Sequence, residues 1–310
     1  MTYEAKVILD SIGPNGARLT TFELTYPRFV HAEFMTHRMF SRNSASSRAI
    51  PVSKLLERVE NRPAEPVWWG KNQSGMQARE ELDADKRELA KFIWGVAKNA
   101  AVGFTRTLDK IGLHKQLSNR LVEPWMDITV VCTATEYPNA WGLRVHPDAQ
   151  PEFQRVMSLA YMELLKSTPR ELKAGQWHLP YVTRFDEDSL REELPHALEQ
   201  YACENVTEAL KRISVGRCAA VSYLNQDKRD PEGDLGRMSK MRQAGHMSPF
   251  EHVAQALTKI EWQEHATESF KAWVDRRVPM GNLWGWRQYR KELLNEHDFS
   301  IEHPVQFSVF

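Results

Sequence analysis

Residues 36–48 bring together the side chains of this chain that are best suited to bind a phosphate ester. The segment reads Thr-His-Arg-Met-Phe-Ser-Arg-Asn-Ser-Ala-Ser-Ser-Arg and contains no acidic residue. A guanidinium group can form two parallel hydrogen bonds with a phosphate, and serine hydroxyls add short neutral donors. The segment is therefore a candidate anion-binding site, although its composition fits a solvated turn with incidental basic residues equally well.

The spacing of this segment resembles the signature of the flavin-dependent thymidylate synthases, which is Arg-His-Arg, seven residues and then Ser. Here His37 and Arg38 are followed by seven residues and by Ser46, and Arg48 stands two residues further on. Residues 21–30 also resemble the family, because they read as an alternating strand, a proline and the start of a helix that delivers the signature. The family resemblance thus begins at the segment already singled out for its chemistry.

Further blocks of the chain resemble the same family. Residues 245–252 read Gly-His-Met-Ser-Pro-Phe-Glu-His, against Gly-His-x-Thr/Ser-Pro-Phe-Glu-His in the family, and residues 220–222 resemble the strand end that precedes it. In the middle of the chain, residues 120–124 resemble Arg-Ile-Val-Leu-Pro, and residues 139–152 carry the family's Asn, Leu-Arg and Ala-Gln-x-Glu pattern. The resemblance thus touches most of the chain in separated blocks.

The order of these blocks differs from the family, because the block that normally comes first lies in the C-terminal third here. We interpret the chain as a circularly permuted or partly duplicated relative, a rearrangement that neighbouring surface termini tolerate. Residues 286–290, Trp-Arg-Gln-Tyr-Arg, also resemble the Arg-Gln-x-x-Arg that leads into the signature. Arg290 could therefore supply the first signature Arg, whose place Thr36 takes.

The resemblance implies which side chains would bind FAD and which would bind a deoxynucleotide. The residues that would hold FAD are His37, Arg38, Asn139, Ser222, His246 and Ser248. The residues that would hold the nucleotide are Glu33, Ser44, Ser46, Arg48, Arg120 and Arg144. Ser46 and Arg144 would also act in catalysis, since a guanidinium beside the pyrimidine carbonyls stabilises charge that develops on the ring. Each position also has a purely structural interpretation, such as a strand end at Ser222 or a turn at Asn139.

The implied reaction is the reductive methylation of deoxyuridine monophosphate (dUMP) to thymidine monophosphate (dTMP). By resemblance, methylenetetrahydrofolate supplies the one-carbon unit, NADPH reduces the flavin, and reduced FAD supplies a hydride, while the protein binds and orients them. Members of the family are homotetramers with sites between chains. The resemblance therefore implies a homo-oligomer, a tetramer or a dimer, with small-molecule nucleotide and folate partners.

Several positions depart from the family pattern and leave two alternatives open. Thr36 and Ser44 replace a signature Arg and a Glu, Glu33 replaces a Gln, and Thr133 and Thr135 stand where an Asn and an Arg are usual. The nearer alternative is an enzyme of the same fold that modifies another pyrimidine nucleotide, such as deoxycytidine monophosphate (dCMP). The more distant alternative is a non-catalytic flavin- or nucleotide-binding protein.

Local patterns predict the elements that position these residues. Residues 4–11 and 18–26 alternate and are joined by Gly13-Pro14-Asn15-Gly16, which predicts a β-hairpin. Residues 77–111 predict a long helix, broken near Gly95 or Gly103, whose apolar stripe is expected to face the core. The members of this stripe are Leu89, Ile93, Val96, Ala100, Phe104, Leu108 and Ile111.

The second half of the chain predicts further helices and one ambiguous segment. Asp148 is predicted to be the N-cap of a helix, because its short side chain can accept a hydrogen bond from the first turn. Residues 190–215 predict another helix, and residues 231–244 a third that stops at Gly245. Residues 128–135 fit a buried strand or an apolar helix equally well.

These elements predict an α+β fold, in which an antiparallel sheet is packed with long helices, as the resemblance to flavin-dependent thymidylate synthases also implies. The chain has 310 residues, of which 42% are hydrophobic, so it can bury a substantial core. We expect a single domain over residues 1–310, with 1–175 and 187–310 as sub-halves within it.

Composition and missing motifs argue against several other functions. The net charge of +0 does not favour nucleic-acid binding by bulk electrostatics. The three cysteines, Cys132, Cys203 and Cys218, form no paired framework and lack the setting of a nucleophile. His31-Ala32-Glu33 matches the His-x-Glu of zinc deaminases, but no Pro-Cys-x-x-Cys follows, so no metal is expected. Without a signal peptide or an apolar run of about 20 residues, we expect a cytoplasmic protein that binds no membrane.

Overall fold

A computed structural model describes residues 3–225, 230–264, 281–293 and 296, and it has the predicted α+β architecture. The strands are β1 (Glu4–Ile12), β2 (Arg18–Pro27), β3 (Ser41–Ser44), β4 (Asp127–Ala134), β5 (Arg170–Glu171), β6 (Trp177–His178), β7 (Ala254–Ala256) and β8 (Trp286–Gln288). The helices are α1 (His31–Met35), α2 (Val52–Asn61), α3 (Ala84–Lys110), α4 (Lys115–Ser118), α5 (Pro138–Arg144), α6 (Pro151–Lys166), α7 (Arg184–Glu192), α8 (Pro195–Gln200), α9 (Val206–Ala220) and α10 (Pro231–Gln243). In the described part of the chain, no helix is both long and apolar enough to cross a membrane.

The larger of two sheets is built on the predicted hairpin of β1 and β2. Its strand order is β3-β4-β2-β1-β5, and neighbours are antiparallel except β1 and β5, which are parallel. Gly16 has a φ of +83°, which glycine adopts without steric cost, and it allows the chain to reverse between β1 and β2. The ambiguous segment 128–135 is a strand, because its backbone pairs with β2 on one edge and with β3 on the other.

The main hydrophobic core covers one face of this sheet. Phe22 and Tyr26 of β2 are fully buried there. The Tyr26 ring lies 5.7 Å from that of Phe34 in α1 and 6.3 Å from that of Phe153 in α6, measured between ring centroids. Because aromatic side chains bury large areas, these contacts fix α1 firmly against the sheet. They thereby fix the start of residues 36–48.

The sheet also carries a chain of buried, hydrogen-bonded hydroxyl and imidazole groups. His178 Nδ1 lies 2.9 Å from Ser11 Oγ, and His178 Nε2 lies 2.9 Å from Thr21 Oγ1. Thr21 Oγ1 lies 2.6 Å from Thr133 Oγ1, which lies 2.8 Å from His252 Nδ1. Burial lowers the pKa of both His178 and His252 to about 3, so both imidazoles are neutral at physiological pH.

The predicted long helix exists, but the prediction that its stripe faces the core is wrong. Helix α3 runs without interruption past Gly95 and Gly103 and buries Val102 and Thr105, which lie outside the stripe. The stripe itself is exposed: Leu89 by 57%, Val96 by 50% and Phe104 by 66%. Helical periodicity defines an apolar face, but it does not say whether the same chain covers that face.

The helix predicted over residues 190–215 is divided into parts of α7, α8 and α9. Pro195 begins α8, because proline lacks the N–H that a continuing helix would need. Asn205 is the N-cap of α9, where its side chain accepts a hydrogen bond from Glu208 N at 2.9 Å. The helix predicted after Asp148 exists as α6, but its N-cap is Gln150 rather than Asp148.

Helices α9 and α10 pack unusually closely. A Cβ added to Gly216 of α9 would lie only 2.3 Å from the carbonyl oxygen of Asp234 in α10, so this position accepts glycine alone. The neighbouring Arg217 is fully buried, and its Nε donates to Asp234 Oδ2 at 2.7 Å. Its Nη1 donates to Asp186 Oδ2 of α7 and to the carbonyl oxygen of Tyr181, each at 2.7 Å. One buried guanidinium therefore joins three parts of the C-terminal half.

Candidate functional site

Residues from distant parts of the sequence meet in a cleft between the end of β3 and the ends of α9 and α10. We call it the serine cleft and define it by Ser46, Arg48, Lys115, Ser222, His246 and Ser248. Its volume is about 490 Å³. This value lies within the range of cavities that bind small molecules.

Backbone hydrogen bonds hold the first part of the serine cleft in place. Strand β3 pairs with β4 as far as Ser44, and Ala45 N then donates to Thr129 O at 2.8 Å. Ser46 N donates to Ser222 O at 3.1 Å, and Ser222 Oγ donates to Ser44 O at 3.3 Å. The segment 36–48, which we call the signature segment, and the turn after α9 are therefore held together by two hydrogen bonds.

The end of α10 delivers the second part of the cleft. Gly245 follows the helix with a φ of +69°, as predicted for a C′ residue, and His246 N donates to Met241 O at 2.9 Å. The chain then turns, and a short 3₁₀ helix, Ser248–Glu251, places Ser248 at the cleft. Both His246 and Ser248 are exposed, so their side chains are open to a ligand.

The lining of the serine cleft combines basic groups and hydroxyls. Arg48, Lys115 and His246 contribute the basic groups, and the described residues that line the cleft include no acidic side chain. This donor set matches the oxygens of a phosphate ester. Lys115 was not predicted, because nothing in its local sequence distinguishes it from a surface lysine. Its Nζ donates to Ala49 O at 2.8 Å, which holds the ammonium group beside the signature segment.

A second cleft, the His37 cleft, has a volume of about 510 Å³. We define it by Thr36, His37, Arg38, Glu136 and Asn139. The predicted FAD-binding residues are thus shared between two clefts. His37, Arg38 and Asn139 lie here, whereas Ser222, His246 and Ser248 lie in the serine cleft.

The guanidinium of Arg144 contacts His37 and Thr36. Its Nε donates to His37 Nε2 at 2.9 Å, and its Nη2 donates to Thr36 Oγ1 at 3.1 Å. Burial, together with the positive charges of Arg144 and Arg42, lowers the pKa of His37. His37 is therefore neutral near pH 7. Because Nε2 accepts a hydrogen bond, the ring proton must reside on Nδ1.

Other predicted residues lie outside both linings. Arg120 is exposed and its Nη1 lies 3.0 Å from Glu123 Oε1. Ser44 contributes its carbonyl oxygen to Ser222, and Glu33 Oε2 is buried without a hydrogen-bond partner among the described residues. Arg290 Nε lies 2.7 Å from Glu296 Oε2, and its Nη1 bonds to Glu251, so two carboxylates already engage this guanidinium.

Within residues 3–225, 230–264, 281–293 and 296, no group of three or more His, Cys, Asp or Glu side chains is arranged to hold a metal ion. Beside the carboxylate of Glu136 in the His37 cleft, the described side chains of the two clefts offer cations, hydroxyls and neutral imidazole. Such groups bind and orient anionic ligands.

Comparison with known proteins finds similarity to solved structures alone. No family model matches the chain, and no curated protein matches its sequence. Two solved structures of PolB, a UMP/dUMP methylase from Streptomyces cacaoi, are similar over about half of the chain. The structure bound with 5-Br UMP has a TM-score of 0.41 and 13% sequence identity, and the match covers 53% of this chain and 88% of that one. The structure bound with 5-Br dUMP has a TM-score of 0.36 and 17% identity, with 48% and 65% covered. Similarity of this size does not assign an activity.

Proposed function

We propose that this protein is a flavin-dependent enzyme that methylates a pyrimidine nucleotide, with dUMP as substrate, dTMP as product, methylenetetrahydrofolate as one-carbon donor and NADPH as reductant. The proposal starts from the resemblance of residues 36–48 and 245–252 to the flavin-dependent thymidylate synthases. These blocks stand about 200 residues apart in the chain, in the reverse of the family's usual order.

The observation that carries the proposal is the meeting of both blocks in the serine cleft. Ser46 and Arg48 come from the first block, and His246 and Ser248 from the second. Two unrelated sequence coincidences would have no reason to converge on one basic cavity. A permuted chain that retains the binding site of its family would bring them together.

The residues present fit an anionic cofactor and an anionic substrate. Ser248 and His246 offer donors suited to the pyrophosphate of FAD, beside Ser222, whose hydroxyl already donates to Ser44 O. Arg48 and Lys115 offer charge suited to a nucleotide phosphate. Arg144 and neutral His37 offer a donor pair to the carbonyl oxygens of a planar ring. When bound, FAD would supply the hydride chemistry that none of these side chains can perform.

The half-buried carboxylate of Glu33 favours dCMP as a second candidate substrate. Glu33 precedes Thr36 and His37 by one helical turn, and its Oε2 lacks a hydrogen-bond partner among the described residues. An ionised carboxylate can accept a hydrogen bond from the exocyclic amino group of cytosine, whereas it repels the corresponding carbonyl oxygen of uracil. Burying an unpartnered acceptor is costly, so a ligand that supplies a donor would be favoured.

An absorbance spectrum of the purified protein, followed by anaerobic titration with NADPH, tests the proposal. We expect a flavin spectrum that bleaches with NADPH, and a bleaching rate that changes when dUMP is present. Product analysis with dUMP and dCMP then distinguishes the two substrates. A protein that is colourless and does not take up added FAD would refute the flavin-dependent proposal, and a flavoprotein that converts neither nucleotide would refute the methylation.

Replacing Lys115 by Ala should weaken nucleotide binding by about 10- to 150-fold, since charge-assisted hydrogen bonds contribute about 1.5–3 kcal/mol each. Arg120→Ala is the matched control, because Arg120 lies outside both clefts, and its affinity should stay within about twofold of the unsubstituted protein. Isothermal titration with dUMP, repeated at two salt concentrations, measures both effects. Equal loss in the two variants would contradict the assignment of Lys115 to the site.

A further inference from the structure

The exposed apolar stripe of α3 is suited to pack against another apolar helix. We infer that α3 pairs with α3 of a second copy of this chain, antiparallel, with the two helices crossing at Ala100. Monomeric proteins rarely expose a contiguous apolar strip that runs along a whole helix. The inference does not depend on the proposed catalytic function.

The stripe is centred on Ala100. With 3.6 residues per turn, the side chains of Leu89, Ile93, Val96, Phe104 and Ile111 all project within about 40° of Ala100 around the helix axis. The buried residues Val102 and Thr105 project from the opposite side, where α3 contacts its own chain. The side of α3 that carries Val102 and Thr105, which we call its back, therefore packs on its own chain. The side centred on Ala100, which we call its front, is apolar and exposed.

The stripes of two copies are complementary in shape when a twofold axis relates them. A twofold axis beside Ala100 brings residues that are equally far before and after it to the same level in the two copies. Leu89 of one copy then lies level with Ile111 of the other, and Val96 lies level with Phe104. Small residues, Ala97 and Gly103, flank the crossing and leave room for these larger side chains. Such alternation of large and small residues is what close helix packing requires.

Gly103 leaves room for a second helix on the apolar face of α3. A Cβ at this position would have nothing within 4 Å, so the single chain gives no steric reason for glycine. Glycine inside a helix costs about 1 kcal/mol relative to alanine. The close approach of another helix would make glycine favourable at this position, because Gly103 lies on the same side of α3 as Ala100.

Charges at the edge of the stripe are complementary in the same arrangement. Glu88 and Lys110 lie on the same flank of α3, near its opposite ends. The twofold axis brings Glu88 of one copy beside Lys110 of the other, and it does so twice. Such pairs at the edge of a helix interface favour one orientation over its reverse. The antiparallel register is therefore supported by charge as well as by shape.

Two glycine substitutions on this helix form a matched test. Gly103→Gln and Gly95→Gln each remove a helix glycine, and a Cβ at either position meets open space within one chain. Gly95→Gln should therefore keep or raise the melting temperature, and Gly103→Gln should do so at protein concentrations where the chain is monomeric. Only Gly103→Gln should weaken self-association, by about tenfold or more, because Gly95 projects from the back of the helix. Sedimentation equilibrium on the full chain measures the association constants.

A cysteine at the crossing point gives a second readout. Ala100→Cys should form a disulfide-linked dimer under mild oxidation, because the two Cβ atoms across the axis come within disulfide range. Lys91→Cys, on the back of α3, should not. A monomeric unsubstituted protein, equal association of both glycine variants, or equal cross-linking at both cysteines would each overturn the inference.

Discussion

Lowering the pH from about 8 to about 5 is expected to reduce the free energy of unfolding by about 4 kcal/mol through His178 and His252. The pKa of each imidazole is lowered to about 3 in the fold, from 6.5 in an unfolded chain. The unfolded chain therefore binds more protons between pH 6.5 and 3. Stability is complete above pH 6.5 and is lost as the pH falls. A loss of this size is a large fraction of the stability of a typical domain.

Urea denaturation between pH 8 and 5 measures this effect. Most carboxylates remain ionised in this window, so the imidazoles dominate the slope. Half-buried His31, whose pKa burial lowers to about 4, contributes in the same direction. His178→Gln and His252→Gln should each remove roughly a third of the slope that they share with His31, and His196→Gln, which changes an exposed residue, is the control. An unchanged slope in both buried variants would contradict the assignment.

Replacing Arg217 by Met should destabilise the protein by about 3–5 kcal/mol, because it leaves Asp186 and Asp234 buried without their shared cation. Methionine retains most of the apolar volume, so the loss reports the missing charge rather than a cavity. Since Arg217 joins α7, α9 and α10, the variant should also weaken nucleotide binding in the serine cleft under conditions where it remains folded.

Thermal unfolding of Arg191→Met supplies the control for this experiment. Arg191 forms an exposed pair with Glu187 of the same helix, with Nη2 2.9 Å from Oε1, and such pairs contribute about 0.3–0.5 kcal/mol. A similar loss of stability in the two variants would show that the buried ion pairs of Arg217 contribute no more than an exposed pair. A stable Arg217→Met variant would show that the two aspartates accept protons or water instead.

The parts of the fold that local sequence determines were predicted correctly. Residues 4–11 and 18–26 carry both the alternation and the turn that a hairpin needs, and Gly245 ends α10 as its position predicts. The long helix was predicted from its periodicity, but its burial was not, because burial of Leu89 or Phe104 depends on what else is present. The helix predicted over 190–215 was too long, since the signals of Pro195 and Asn205 were outweighed by apolar spacing.

The candidate site was accessible from sequence only through resemblance. Nothing local relates Ser46 to Ser222 or Ser248, and their convergence depends on strand pairing and on the close contact at Gly216. The pairing of Arg144 with His37 is equally long-range, and Thr36, which departs from the signature, serves as an acceptor for Arg144. Lys115 could not be distinguished because a lysine at the start of a four-residue helix has no local signature.

The serine cleft cannot form until late in the synthesis of the chain. Ser46 leaves the ribosome early, but Ser248 is added about 200 residues later, which at 5–20 residues per second takes roughly 10–40 s. The turn between β1 and β2 gains its last hydrogen bonds later still. Its Asn15 Nδ2 donates to Leu257 O and to Gly285 O, at 2.8 and 2.6 Å, and both acceptors are synthesised after Ser248. A prematurely ended chain would thus carry the complete signature segment and yet have no cleft. Ligand retention would then separate finished chains from truncated ones.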